Sequence, residues 1–386
     1  MTDVVIVAGE ASGDQLAADL VERVHRVRPD VRFYGVTGPR MRAQGVLSWG
    51  DAETLSVRGL IEVLPSLPRI LRLKRELVRH ASALRPALFI GVDAPDFNLR
   101  LAAVMKGQGV RVLQYVCPTF WAWRAERVQT FRERTDRMLC IFPFEPDLLA
   151  KHGVQATFVG HPMTRARLAD ADRLRLRRTL LPEDADPATP IVAMLPGSRL
   201  GEVSAHAEIL IDTMLHLARE APTMRFLVPL PTRATRERFE RALWAKGESL
   251  LGQTRLMFGH ADYALRSADV AVVASGTATL EAAMHGCPQV VFYRLNALTY
   301  RLLRRRLTTP WVAQPNIIAG ASVVPERLQH EATPERLAAD VSMLLGDDAL
   351  RARMLEAYRA IRDRLSPPEL TERDVLAETV LAELAS

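Results

Sequence analysis

The stretch Leu88–Asn98 reads LFIGVDAPDFN, an apolar run that stops at Asp93, is blocked by Pro95 and continues into Asp96 and Asn98. Proline cannot donate to a strand ladder, and Asp or Asn at a helix start accepts backbone amides. Asp96 or Asn98 is therefore expected to cap the next helix, with Asp96 equally placed to support Asp93. Asp93, at the mouth of the strand, is the candidate general base. A carboxylate in a partly dehydrated site can have its pKa raised toward the working range that proton abstraction needs.

Other stretches carry chemistry of a complementary kind. GEASGD, Gly9–Asp14, follows a β-branched run and opens a helical pattern. Small residues there let backbone amides face a ligand, and a helix N-terminus favours anions. Ser12 or Asp14 serves equally as a cap, whereas Glu10 has no capping role and reads as functional. LPGSR, Leu195–Arg199, repeats the arrangement, with Gly197 and Ser198 permitting close approach and Arg199 offering a planar fork to phosphate oxygens. SGTATLE supplies a further anion cradle in Ser275, Gly276, Thr277, Ala278 and Thr279, and Glu281 could accept two ribose hydroxyls. In PNIIAG, Asn316 reaches a phosphate or sugar oxygen or holds its own turn. Trp121, in YVCPTFWAW, lines a sugar or acyl site or belongs to the core.

What is missing narrows the chemistry. There is no GKS or GKT phosphate loop and no GxGxxG, so neither a kinase-type loop nor a dinucleotide fingerprint is met. The nine histidines show no zinc spacing, and the Asp-Ala-Asp pairs at 170–172 and 184–186 sit in a polar linker and read as solvated charge. No metal and no cofactor is expected. Leu60, Leu64, Leu67 and Leu71 are interleaved with Arg72 and Arg75 on one helical stretch. Such a helix lies on an anionic membrane or packs on the core with a solvated basic side. RLNALTYRLLRRR, residues 294–306, is a second cluster of the same kind.

The elements that must position these residues alternate between short β-branched runs and longer amphipathic stretches. Runs at 4–8, 32–36, 88–92, 111–116, 137–142 and 157–159 precede an Arg/Asp/Ala-rich linker, and runs at 191–195, 225–228, 255–258, 269–274 and 289–293 follow it. The expected fold is α/β, with two doubly wound, Rossmann-like domains facing a cleft. The expected domains are 1–164 and 191–345, joined by a 165–190 linker, with helices at 346–386 crossing back to the first. The net charge of +6 is modest, and aromatics at 6% are not interleaved with a basic tract. Anionic ligands or a negative lipid surface suit that balance better than nucleic acid. Three widely spaced cysteines suit a reducing cytosol, MTDVVIVAGEASGD lacks the basic start of a signal peptide, and no apolar run nears the ~20 residues of a membrane span.

Taken together, VAGEASGD, GVDAPDFN, WAWR, FVGHPM, LPGSR, ASGTATLE, PNIIAG and VPERLQ resemble the lipid-A-disaccharide synthase family, in the family's order, from Val7 to Gln329. One stretch departs: Cys117, Thr119 and Phe120 stand where the family pattern reads YVSPSVWAW. The resemblance implies a GT-B glycosyltransferase whose donor is UDP-2,3-diacylglucosamine and whose acceptor is 2,3-diacylglucosamine 1-phosphate, lipid X. It implies inversion at the anomeric carbon, a β-1,6-linked disaccharide and UDP as products, no metal, and a peripheral place on the cytoplasmic face of the inner membrane in a Gram-negative bacterium. On that reading Asp93 is the base and Arg199, with the amides of 275–279, receives the diphosphate. Glu281 binds ribose and Asn316 positions the nucleotide. Glu10, Ser12, Gly13, Asp14, Asp96, Asn98 and Trp121 shape the sugar side. A homodimer stays open. The competing readings are a UDP-N-acetylglucosamine 2-epimerase, the peptidoglycan N-acetylglucosaminyltransferase, and a non-catalytic UDP-sugar binder.

Overall fold

The computed structural model describes residues 2–9, 11–55, 60–118, 120, 128–165, 170–181, 186, 188–294 and 309–385. The chain divides into two compact units, Met1–Pro162 with Leu365–Ser386, and Met163–Arg364.

The first unit holds a seven-stranded sheet in the order β3-β2-β1-β4-β5-β6-β7. Its strands are β1 (Thr2–Ala8), β2 (Val31–Thr37), β3 (Leu47–Asp51), β4 (Leu88–Val92), β5 (Arg111–Tyr115), β6 (Arg137–Cys140) and β7 (Ala156–Phe158). The second holds a six-stranded sheet in the order β10-β9-β8-β11-β12-β13, built from β8 (Ile191–Leu195), β9 (Arg225–Leu230), β10 (Thr254–Phe258), β11 (Val270–Ala274), β12 (Gln289–Tyr293) and β13 (Glu326–Leu328). Every pairing is parallel. A parallel sheet is covered on both faces, so its strands read as unbroken apolar runs. LFIGV, IVAML and VAVVA are buried along their whole length. Each large apolar side chain so buried contributes about 1.5–3 kcal/mol.

In each sheet the strand order reverses at one place, between β1 and β4 in the first and between β8 and β11 in the second. Ligands of doubly wound sheets bind outside the carboxyl ends of strands at such a point. The first reversal is flanked by Gly9, the start of the helix Ala11–Val27 and Asp93, the second by Pro196–Arg199 and Ser275–Thr279.

Two strands were not anticipated. β3 is half exposed, contains Gly50 and has no apolar run, and β13 has only three residues. The boundary expected after residue 164 falls after Pro162. The helix Asp170–Leu180, expected in a linker, belongs to the second unit, where Arg173 and Arg177 both pair with Asp269. The helix Asp348–Leu365 lies mostly in the second unit, its Arg362 donating to the Thr164 carbonyl at 2.9 Å. Only the chain from Leu365 returns to the first unit. There the helix Val375–Leu384 presents the buried Glu383 to Arg111 and Arg137, and Asp374 pairs with Arg23 at 3.0 Å. Burial opposes the Glu383 carboxylate, but the two guanidinium groups outweigh it and hold its carboxyl below the ordinary value.

Candidate active site

Strand β4 ends in an unusual turn. Asp93 and Ala94 are consecutive non-glycine residues in the left-handed region, at φ +50° and +40°. Such a conformation costs roughly 1–2 kcal/mol per residue and persists only where the surroundings hold it. The Asp93 N–H donates to the Tyr115 carbonyl at 3.0 Å. Its own carbonyl accepts from Asn98 Nδ2 at 2.8 Å and from Gln114 Nε2 at 3.1 Å. The side chain is left half-buried at the strand end. The loop after β1 presses against this turn, since a Cβ on Gly9 would stand 2.4 Å from the Ala94 Cβ.

Several expectations for the first unit are corrected here. Asn98 does not cap the helix Pro95–Gly107, and Asp96 is exposed in its first turn. The cap position is Ala94, without a side-chain bond, because the left-handed turn and Pro95 already start the helix. Asn98 points inward to the Val7, Val92 and Asp93 carbonyls and does not face the sugar side. Asp14 is buried and spent as well. Its carboxylate accepts the amides of Gly38, Arg40 and Met41 at 2.9, 2.9 and 3.0 Å, stabilising the positive end of the short helix Pro39–Ala43. Gly38 makes this possible, because a Cβ there would lie 2.4 Å from the Asp14 carboxylate. Gly13 packs against the Val92 carbonyl and Ala8, and Ser12 is exposed at the first turn of Ala11–Val27. Glu10 and Trp121 lie outside the described residues.

In the second unit the loop after β8 folds around its own carboxylate. Glu202 Oε2 accepts the Ser198 and Arg199 amides at 3.0 and 3.2 Å, and Oε1 accepts Arg199 Nη1 and the Tyr293 hydroxyl, each at 3.2 Å. Gly197, at φ +113°, leaves room for Glu202, whose Oε2 would be 2.6 Å from a Cβ. The Ser198 amide and Gly197 thus serve the loop itself, while the Arg199 side chain remains 54% exposed. Tyr293 is pushed up to about 12 by burial and by the neighbouring Glu202. His206, fully buried and not singled out in the sequence, ties this loop to β12. Its Nδ1 lies 2.7 Å from the Pro196 carbonyl, and its Nε2 lies 3.1 Å from the Arg294 carbonyl and 3.2 Å from the Arg294 amide nitrogen.

The loop after β11 is open by contrast. Among the described residues, Gly276, at φ +151°, has nothing within 4 Å of where a Cβ would stand, and, at the cap position, it makes no side-chain bond to the helix Thr277–Met284. The first amides of a helix lack intrahelical partners, so a helix start of this kind can take an anion. Thr279 does not face it. Its hydroxyl donates to the Gly276 carbonyl and accepts the Gln314 amide, and it is fully buried. Ser275 Oγ donates to the Val312 carbonyl at 3.0 Å. Glu281 is half-buried, and burial together with Asp262 raises its carboxyl above the ordinary value. Asn316 is buried and saturated by Val323, Val324 and Glu326, so it braces the chain entering β13 and is not available to a nucleotide.

A family model described as lipid-A-disaccharide synthetase matches residues 4–380. The lipid-A-disaccharide synthase of Chromobacterium violaceum is 46% identical over 357 residues, covering 92% of this chain and 91% of that protein. That of Methylobacillus flagellatus is 42% identical over 381 residues, covering 98% and 99%. The chain belongs to the lipid-A-disaccharide synthase family. Membership makes it a glycosyltransferase of lipid A biosynthesis and favours that reading over the epimerase alternative. Among solved structures, a UDP-GlcNAc 2-epimerase from Neisseria meningitidis bound to UDP-GlcNAc superposes with a TM-score of 0.66 at 11% identity, covering 99% of this chain and 100% of that one. A spinosyn rhamnosyltransferase complexed with thymidine diphosphate gives 0.56 at 15%, covering 99% of each. These likenesses concern the GT-B fold alone.

Two further features bear on this synthase-family chain. Among the described residues, one group could gather round a metal: Cys117, Cys140 and Glu145, all buried, with ligand atoms within 4.8 Å of one another. It supplies three ligands where a closed structural zinc site takes four, and both thiols sit in an apolar cluster with Phe120, Phe131 and Leu149. The other feature is the helix Leu60–Leu84. Leu73, Leu77 and Ala81 are buried in the core, and Leu73 packs where Gly50 lacks a side chain. Leu67 and Leu71 are 40% and 43% exposed, beside the exposed Arg72 and Arg75. The side chains of Leu60 and Leu64, and residues 295–306 of the second basic cluster, are outside the described residues. Among the described residues no helix is long and apolar enough to cross a membrane.

Proposed function

We propose that this chain joins UDP-2,3-diacylglucosamine to lipid X with inversion, giving the β-1,6-linked disaccharide 1-phosphate and UDP. The observation that carries the residue roles is the half-buried Asp93 at the reversal of the first sheet, within a chain matched over residues 4–380 by this family. Asp93 takes the proton of the acceptor 6-hydroxyl as its oxygen bonds to the anomeric carbon and the carbon–phosphate-oxygen bond breaks. The departing diphosphate is received by the Arg199 guanidinium and the uncapped amides after Gly276. Glu281 accepts the ribose hydroxyls, which favours its ionised form and so works against the effect of burial.

The exposed leucine–arginine side of Leu60–Leu84 supports a peripheral seat on the anionic cytoplasmic face of the inner membrane. There each acyl methylene withdrawn from water contributes ~0.8 kcal/mol. The test mixes purified protein with both lipids and a chelator and follows products by mass spectrometry. The disaccharide and equimolar UDP are expected. UDP release without disaccharide, epimerised hexosamine, or equal use of a deacylated donor would overturn the reading.

A further inference from the structure

We propose that Asn98 and Gln114 are positioning residues that hold the Asp93–Ala94 turn in its left-handed form, so that the carboxylate stands ready for the acceptor hydroxyl. This rests on Asp93 being the base. The two carboxamides come from different elements, the start of the helix Pro95–Gly107 and strand β5, yet converge on one oxygen, the Asp93 carbonyl. Both are buried, Asn98 at 0% and Gln114 at 1% exposure. Asn98 Nδ2 also lies 3.3 Å from the carbonyls of Val7 and Val92, tying β1 to β4 across the reversal of the sheet. The arrangement has a cost, because Asn98 Oδ1 is buried without a hydrogen-bond partner among the described residues. One donor would suffice to cover a carbonyl. A second amide and an orphaned acceptor point to a demand beyond satisfying the backbone.

Gly91 makes room for both amides. A Cβ there would lie 2.6 Å from Gln114 Oε1 and 2.9 Å from the Asn98 Cβ. Glycine inside a strand weakens it and marks such a close approach. Together with Gly9 against Ala94, the turn is enclosed by Asn98, Gln114 and the loop after β1. The glycine and the terminal asparagine of LFIGVDAPDFN therefore act on the aspartate between them.

The test compares Gln114→Met, Gln114→Glu and Asn98→Ala with the wild type under saturating lipids. Each is expected to lower kcat by about 30- to 100-fold, the scale of a displaced catalytic group. KM for the donor and the affinity for UDP should stay within about twofold, and the acid limb of the pH–kcat profile should move. Placed on Asp93→Asn, the same substitutions should change the residual rate by less than about twofold, because the group they position is already gone. Gln114→Glu keeps the volume and removes the donor, so it should match Gln114→Met. If one variant does not fold, the cycle at the other site decides. Wild-type kcat and pH profile in variants of unchanged melting temperature, or further loss on the Asp93→Asn background, would overturn the proposal. Full turnover by Asp93→Asn alone would instead remove the base assignment, so the two failures are distinguishable.

Discussion

The two sheets solve the same local problem in opposite ways. Each begins with a buried strand, a glycine-containing loop and a helix carrying an acid in its first turns, Asp14 in one unit and Glu202 in the other. Asp14 reaches away to the amides of the next loop, whereas Glu202 folds back onto the amides of its own. Across the reversal the roles differ again. The first unit sets a carboxylate, Asp93, on a strained turn backed by buried amides, and the second leaves a helix end uncapped after Gly276. On the proposed assignment, one fold yields a surface that accepts a proton and a surface that accepts an anion. What separates them is which backbone groups the protein's own carboxylates have already covered.

The contrast can be broken most sharply at Asp93. Asp93→Asn should lower kcat by about 10³-fold or more, toward the upper end of what general-base catalysis supplies, while UDP affinity measured by calorimetry stays unchanged. Near-normal turnover would leave the first unit without its distinguishing group. Next comes Arg199. Arg199→Ala should cost about 10²-fold in kcat, in the range of lost charge stabilisation at a leaving group, with partial recovery in Arg199→Lys. An Arg199→Ala enzyme that loses nothing would shift the whole anion-binding duty to Gly276–Ala278.

A smaller effect is expected at the lipid surface. Replacing Arg72 and Arg75 together by Gln should weaken binding to phosphatidylserine-containing vesicles about 30-fold, from roughly 1 kcal/mol per basic residue. Unchanged co-sedimentation would assign that helix to the core alone.

The smallest effect probes where the units agree. Each has a histidine held down to about 4 by burial, His161 in the first and His285 in the second. A histidine with a folded value below its unfolded 6.5 stays neutral in the fold. Its contribution is full above that value and is lost as pH falls through the window toward about 4. Melting temperature should therefore decline between those limits. His161→Gln and His285→Gln should each flatten part of the decline.

The strands around both reversals were legible because burial on two faces leaves an unbroken apolar signature, as in LFIGV and VAVVA. β3 escaped because an edge strand with exposed Leu47 and a central glycine carries no such signature. Among site residues, Asp93 could be placed from the strand end that precedes it. Asp14, Thr279 and Asn316 were misassigned for a common reason. Spacing locates a side chain on an element but does not reveal that backbone amides from a distant loop already hold it. Gln114 left no local signal, since the Asp93 carbonyl that it holds lies beyond the end of a neighbouring strand. The nearest clue was Gly91, a glycine within a run that otherwise favours bulky residues.

The return of the chain from Leu365 to the first unit has a consequence for biosynthesis. Everything needed for the second unit leaves the ribosome before the segment that carries Glu383. Arg111 and Arg137 are therefore made long before the carboxylate that pairs with both of them. A trimmed or blocked carboxyl tail would wound the fold at the opposite end of the sequence.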